Sequence, residues 1–201
     1  KDNNFNFLKK ALGQALIKVN LLEKDPNSAQ GESFCLNLPA PYPFTIVSKT
    51  ITDNNGLDNF VKNEFERKYS TVYTNYFKLY FLDLEYKEPN TEGAGGYFDS
   101  VSKCVMLFNG HQKETIAHEC LHALGLPHSF YYPSEIYKSR MEEKIRDKNF
   151  FVFKAMETNN IMDYSHLGVN PVTKNRIDSP KERYLTWHWQ WLIVRESTLL
   201  E

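Results

Sequence analysis

His118-Glu119-Cys120-Leu121-His122-Ala123-Leu124-Gly125-Leu126-Pro127-His128 carries more chemistry than any other stretch of this chain. The apolar spacing from about Gln112 to Leu124 is helical, and residues four apart on a helix lie about one turn from each other. His118 and His122 therefore project from one face and can grip a single metal ion. Glu119, beside His118, is placed to reach a water on that ion without ligating it. A continuing helix would carry position 128 away along its axis. Gly125 ends the helix and permits a sharp reversal through positive φ, which returns His128 toward the same ion. Three neutral imidazoles leave one coordination position open, as catalytic rather than structural zinc requires. Cys120 sits some 200° around the helix from His118, so it faces the core, in the neighbourhood of Cys104.

Five fixed identities at set spacing arise by accident in roughly one chain of this length in 10⁵. A His-x-x-x-His pair alone would read as helix-surface histidines. With Glu119, Gly125 and His128 in register, that account loses. Downstream, the turn-rich stretch Asn160-Ile161-Met162-Asp163-Tyr164 places Met162 34 positions after His128. Together the two stretches resemble the zinc signature and methionine turn of the metzincin clan of metallopeptidases. The likeness is strong over His118 to Tyr164 and looser over Tyr76 to Gly168.

The resemblance implies one catalytic Zn²⁺ held by His118, His122 and His128, with Glu119 as general base. It implies Met162 as a soft, apolar floor under the histidines. Tyr164 stands two residues after that methionine, as in the astacin-like, serralysin-like and pappalysin-like branches, and is implied as a second catalytic residue, the oxyanion donor. A peptide or protein substrate is implied to lie extended against an edge strand at Gly96, Tyr97 and Phe98. A domain of this kind ending near Trp189-Gln190-Trp191 is also similar to toxin metallopeptidase domains of bacterial secretion effectors. That implies a protein secreted or delivered by a secretion system.

Working outward, Phe5 to Glu23 reads as an amphipathic helix through Leu8, Leu12, Ala15, Leu16 and Val19. Phe44 to Ile51 and Tyr76 to Tyr86 each read as a strand, with a helix from Leu57 to about Tyr69 between them. Tyr97-Phe98 and Lys103 to Phe108 are two further strands. Gly93-Ala94-Gly95-Gly96 leads into a strand with no Lys-Ser/Thr after it, so it reads as a sheet edge and not a phosphate loop. Ser134 to Arg146 is a charged helical insertion between the two motifs. Pro180 to about Glu196 reads as a closing helix, with Leu185, Trp189, Leu192 and Ile193 at helical spacing. The class expected is α+β, zincin-like: a small mixed twisted sheet with an edge strand, the metal helix, the methionine turn and a C-terminal helix.

The chain has 201 residues, enough for one catalytic domain with an upper part over about 1–125 and a lower part over about 126–201. Lys plus Arg number 24 against 25 Asp plus Glu, a formal charge of −1, which argues against nucleic acid as a partner. The longest apolar run, Cys104 to Phe108, is five residues, too short for a membrane-spanning helix. Three cysteines, Cys35, Cys104 and Cys120, are too few for a disulfide scaffold, and Cys35 reads as a small buried side chain. No signal sequence follows Lys1, as expected if a leader was removed or the segment belongs to a longer polypeptide. A monomer is the expected state. The resulting expectation is a zinc endopeptidase. Its competitor is a non-catalytic zincin-fold module that grips a protein partner, against which the intact Glu119 speaks.

Overall fold

The uninterrupted run Cys104-Val105-Met106-Leu107-Phe108 has no polar residue because both of its sides are covered, and the rest of the fold is arranged around it. The computed structural model describes residues 2–20, 22, 34–69, 73, 75–87, 95–99, 103–128, 130–131, 153–154, 158–163 and 183–196. In chain order these form α1 (Asp2–Gly13), β1 (Thr45–Val47), β2 (Thr50–Asp53), α2 (Leu57–Tyr69), β3 (Lys78–Phe81) and β4 (Glu85–Tyr86). There follow β5 (Gly96–Asp99), β6 (Cys104–Leu107), α3 (Lys113–Ala123), β7 (Phe130–Tyr131), β8 (Phe153–Lys154) and α4 (His188–Arg195). The class is mixed α+β, with two small three-stranded mixed sheets and four helices among the described residues.

Strand β6 is the middle of the sheet β3-β6-β5, parallel to β3 and antiparallel to β5. Alternate residues of a strand point to opposite faces. Val105 and Leu107 accordingly enter one hydrophobic cluster with Leu8 and Leu12 of α1 and with Ile116, Ala117 and Leu121 of α3. Cys104, Met106 and Phe108 enter a second cluster with Leu57, Val61 and Phe65 of α2. The sheet thus lies between the histidine-bearing helix on one side and α2 on the other. This separates Cys104 from Cys120, which belongs to the first cluster, so the expected proximity of the two thiols is corrected. Cys35 is exposed, not buried as expected, because its backbone rather than its side chain is held: Tyr69 Oη accepts its N–H and donates to its carbonyl.

Two expected strands each divide. The stretch Phe44 to Ile51 is a hairpin, with β1 antiparallel to β2 across Ser48 and Lys49, whose φ angles are +51° and +65°. Two successive left-handed residues make the tight loop that matches strand twist, a role usually taken by Asn-Gly. Tyr76 to Tyr86 splits at Leu82-Asp83-Leu84. Its first half pairs with β6, and its second half moves over to β2, giving the sheet β1-β2-β4. Helix α2 has the expected bounds.

Both terminal helices are shorter than their periodicity suggested. Helix α1 stops at Gly13, and Leu16, with φ +61°, is fully turned out to solvent. Ala15 still reaches the first cluster, and Val19 packs against it, so the apolar spacing served packing without a continuing helix. Helix α4 begins only at His188, preceded by an extended segment whose Leu185 bridges Asn160. Its buried side is Gln190 and Val194, whereas Leu185 and Leu192 are exposed. Gln190 faces inward because it has polar partners there. The insertion expected at Ser134 to Arg146 lies outside the described residues.

Candidate metal centre

Helix α3 presents His118 and His122 one turn apart and then closes in a left-handed glycine cap. Leu126 N–H bonds Leu121 O at 3.0 Å, and Gly125 N–H bonds His122 O at 2.9 Å. These are the paired bonds of a Schellman ending, with Gly125 at φ +91°. A side chain at that φ would be strained, and the reversal is what turns the chain back so that His128 faces the helix it has just left.

The three Nε2 atoms converge. His118 and His122 are 3.1 Å apart, His122 and His128 are 3.0 Å apart, and His118 and His128 are 3.3 Å apart. His118 Nδ1 donates to Ile161 O and His122 Nδ1 donates to Leu126 O, each at 2.8 Å. With those protons committed to the backbone, neutral His118 and His122 each direct an Nε2 lone pair toward the other and toward His128 Nε2, a crowding of lone pairs. A cation among them resolves this. Zn–N bonds of about 2.0–2.1 Å at tetrahedral angles put ligand nitrogens about 3.3 Å apart, close to the 3.0–3.3 Å observed. The donor set fits a divalent ion, and this is the one such group of three among the described residues. The backbone carbonyls on Nδ1 supply the outer hydrogen bonds that fix tautomer and ring orientation in metal sites.

Burial, reinforced by the neighbouring His122 and His128, holds His118 well below the ordinary imidazole range. Burial and His122 push His128 down to about 2. Both rings stay neutral at working pH, as metal ligation requires. Glu119 is pushed up to about 8 by burial, while a hydrogen bond from the Phe98 amide pulls in the opposite direction. A base poised near neutrality is suited to taking and returning a proton.

Strand β5 forms the margin of its sheet among the described residues. The bond from Phe108 N–H to Gly95 O sets its phase: Gly95, Tyr97 and Asp99 pair with β6, while Gly96 and Phe98 turn their polar groups outward. Gly96 has no room for a Cβ, which would lie 2.8 Å from Met106 O and 2.9 Å from Leu107 Cδ2. Tyr97 Oη donates to Asp58 Oδ1 at 2.8 Å, tying the edge to α2.

Met162 is fully buried in the cluster that contains Ala117 and Leu121, directly after the residue whose carbonyl holds His118. Tyr164 lies outside the described residues. His111 bonds Phe108 O through Nδ1 at 2.7 Å. Sequence reasoning missed Asn160 and Gln190, both fully buried and bonded to each other. Asn two residues before a buried position is a turn signal that could have marked the first. Gln190, polar between two tryptophans, offered none. Comparison with protein-family models, curated proteins and solved structures finds no match to this chain.

Proposed function

We propose that this protein is a zinc-dependent endopeptidase of metzincin type, acting on peptide or protein substrates. The observation that carries the reading is the convergence of three Nε2 atoms within 3.0–3.3 Å, two from helix α3 and the third returned past the Gly125 cap, beside the half-buried carboxylate of Glu119. It is supported by the marginal strand β5, antiparallel to the β6 strand that leads into the metal helix, by a glycine-cap reversal, and by a buried methionine turn joined to the first histidine. A zinc ion held by His118, His122 and His128 would supply activation of a water and polarisation of a carbonyl. Glu119 takes the proton of the attacking water and delivers it to the leaving amine, so its carboxyl must gain and lose a proton within one turnover. The outward groups of Gly96 and the Phe98 carbonyl are available to an extended peptide, which fixes the scissile bond relative to Glu119. Tyr164 is assigned oxyanion stabilisation on the resemblance alone. The secreted effector role is proposed on the same ground.

The test is cleavage of an unfolded protein or peptide library by zinc-loaded protein. Cleavage should vanish with a chelator and return with Zn²⁺, and Glu119→Ala should keep its zinc while losing activity by orders of magnitude. Cleavage by Glu119→Ala at the wild-type rate overturns the assignment. A zinc-loaded protein that captures polypeptide intact would instead select the non-catalytic binding module.

A further inference from the structure

The bonds behind His118 do not end at Ile161. Ile161 N–H is held by Leu185 O at 2.8 Å, and Met162 N–H by Asn160 Oδ1 at 2.9 Å. Asn160 Nδ2 donates to Gln190 Oε1 at 2.8 Å, and Gln190 Nε2 donates back to Asn160 Oδ1 at 3.2 Å. Gln190 Oε1 also accepts the Trp187 amide at 2.8 Å, locking the start of α4 to the same pair. Arg183 Nη1 reaches Asp163 O at 2.7 Å, and the Asp163 carboxylate accepts the Thr158 amide and hydroxyl. The extended segment before α4 therefore grips the methionine turn on both sides. A third amide, Gln14, ties that segment to the end of α1: its Oε1 accepts the Thr186 amide and hydroxyl, and its Nε2 donates to Tyr184 O.

Two fully buried amides bonded reciprocally are costly if either is removed, since the survivor is left dry and unpaired. Packing alone would be met by leucine or methionine at both places. Their connection runs through one peptide segment to the carbonyl that fixes His118. We infer that Asn160 and Gln190 are positioning residues of the metal centre, setting the tautomer and aim of His118 from the closing helix through the Ile161 carbonyl. The inference rests on the zinc reading above and deepens it by assigning metal affinity to residues that touch no metal.

The experiment uses the full chain with zinc as probe. Zinc affinity is measured by chelator competition, and cobalt is substituted to follow the visible ligand-field bands. The hydrogen-bonded Nδ1 proton of His118 is followed by NMR in the metal-free protein. Gln190→Met keeps the side-chain volume and removes the amide's acceptor oxygen and donor nitrogen together. It should lower zinc affinity by about 10- to 100-fold, shift the cobalt bands, and broaden the His118 proton through exchange. Gln190→Glu retains the oxygen that accepts from Asn160 and Trp187, so it should recover part of the lost affinity. Should Gln190→Met fail to fold, Gln190→Glu is compared with wild type: it loses the donation to Asn160 Oδ1, so zinc affinity, cobalt bands and a His118 proton all at wild-type values would overturn the inference. Wild-type affinity, bands and His118 proton in a folded Gln190→Met protein would overturn the inference while leaving the zinc site standing. Gln190→Glu no tighter for zinc than Gln190→Met would overturn it too. Failure of wild type itself to bind zinc, or undiminished binding in His118→Ala, would overturn the metal reading instead.

Discussion

Gly125→Ala isolates backbone strain at the reversal that brings His128 home. A Cβ built at this position meets only Ile193 Cγ2, at 3.9 Å, so steric crowding contributes nothing. What remains is φ +91°, a left-handed conformation that costs an L-residue about 1–2 kcal/mol. Alanine also narrows the unfolded ensemble, which returns about 0.4–1 kcal/mol. The net loss is about 1 kcal/mol, a roughly fivefold fall in the folded-to-unfolded ratio. In urea melts of the metal-free protein the midpoint should drop by about 0.5 M with the slope unchanged. Gly125→Asn separates strain from packing, because asparagine is bulkier than alanine yet tolerates the left-handed region. It should lose less. If alanine chooses to relax φ instead of bearing the strain, His128 shifts and zinc affinity falls by up to the same factor. An alanine variant as stable and as zinc-avid as wild type, or an asparagine variant worse than alanine, would refute the reasoning.

Three further outcomes follow from local geometry. Gly96→Ala should destabilise by about 1–3 kcal/mol, as overpacking does, and Thr115→Ser should not rescue it, because the nearest clash is with the backbone oxygen of Met106; a urea midpoint at the wild-type value would contradict this. Ser48→Asn combined with Lys49→Gly supplies the residues that a loop with two positive φ angles prefers, and should raise thermal stability by up to about 1 kcal/mol; a lowered Tm refutes it. Acid acts on the metal-free protein with opposed signs. His118 and His128 titrate lower folded than unfolded, so their contribution is present above about pH 6.5 and is lost as pH falls below it, at about 1.4 kcal/mol per pH unit for each ring. Glu119 titrates higher folded than unfolded, so it gains stability as pH falls from about 8 toward the ordinary carboxylate range. Glu119→Gln removes the opposing gain and should steepen the acid loss between pH 7.5 and 5.5 in urea midpoints. An unchanged slope would show that the upward direction for Glu119 is wrong.

The centre was legible because its chemistry is local. Two histidines four apart, a glycine three later and a histidine three beyond that need one helix and one reversal, both fixed by short-range geometry. Helix α2 was legible for the same reason, with Leu57, Val61 and Phe65 all facing one side. What failed was non-local. Ser48 and Lys49 carry no turn signature, so the hairpin reads as one strand until a partner is known. Leu82 to Leu84 looks like continuing strand, and only the two separate sheets reveal the break. Hydropathy aimed α4 with Leu185 and Leu192 inward, whereas the burial of Gln190 is decided by Asn160, thirty residues earlier.

The two-sided strand through the middle of the sheet has a practical corollary. Its Cys104 reports on one half of the interior, Cys120 on the other, and Cys35 on neither, being open to solvent. An alkylating reagent therefore meets a built-in clock with three hands. The first mark comes at once, and the later two come only when the α2 side or the histidine side breathes. Mass spectrometry of successive adducts would time each half separately in unmodified protein, without a single engineered label.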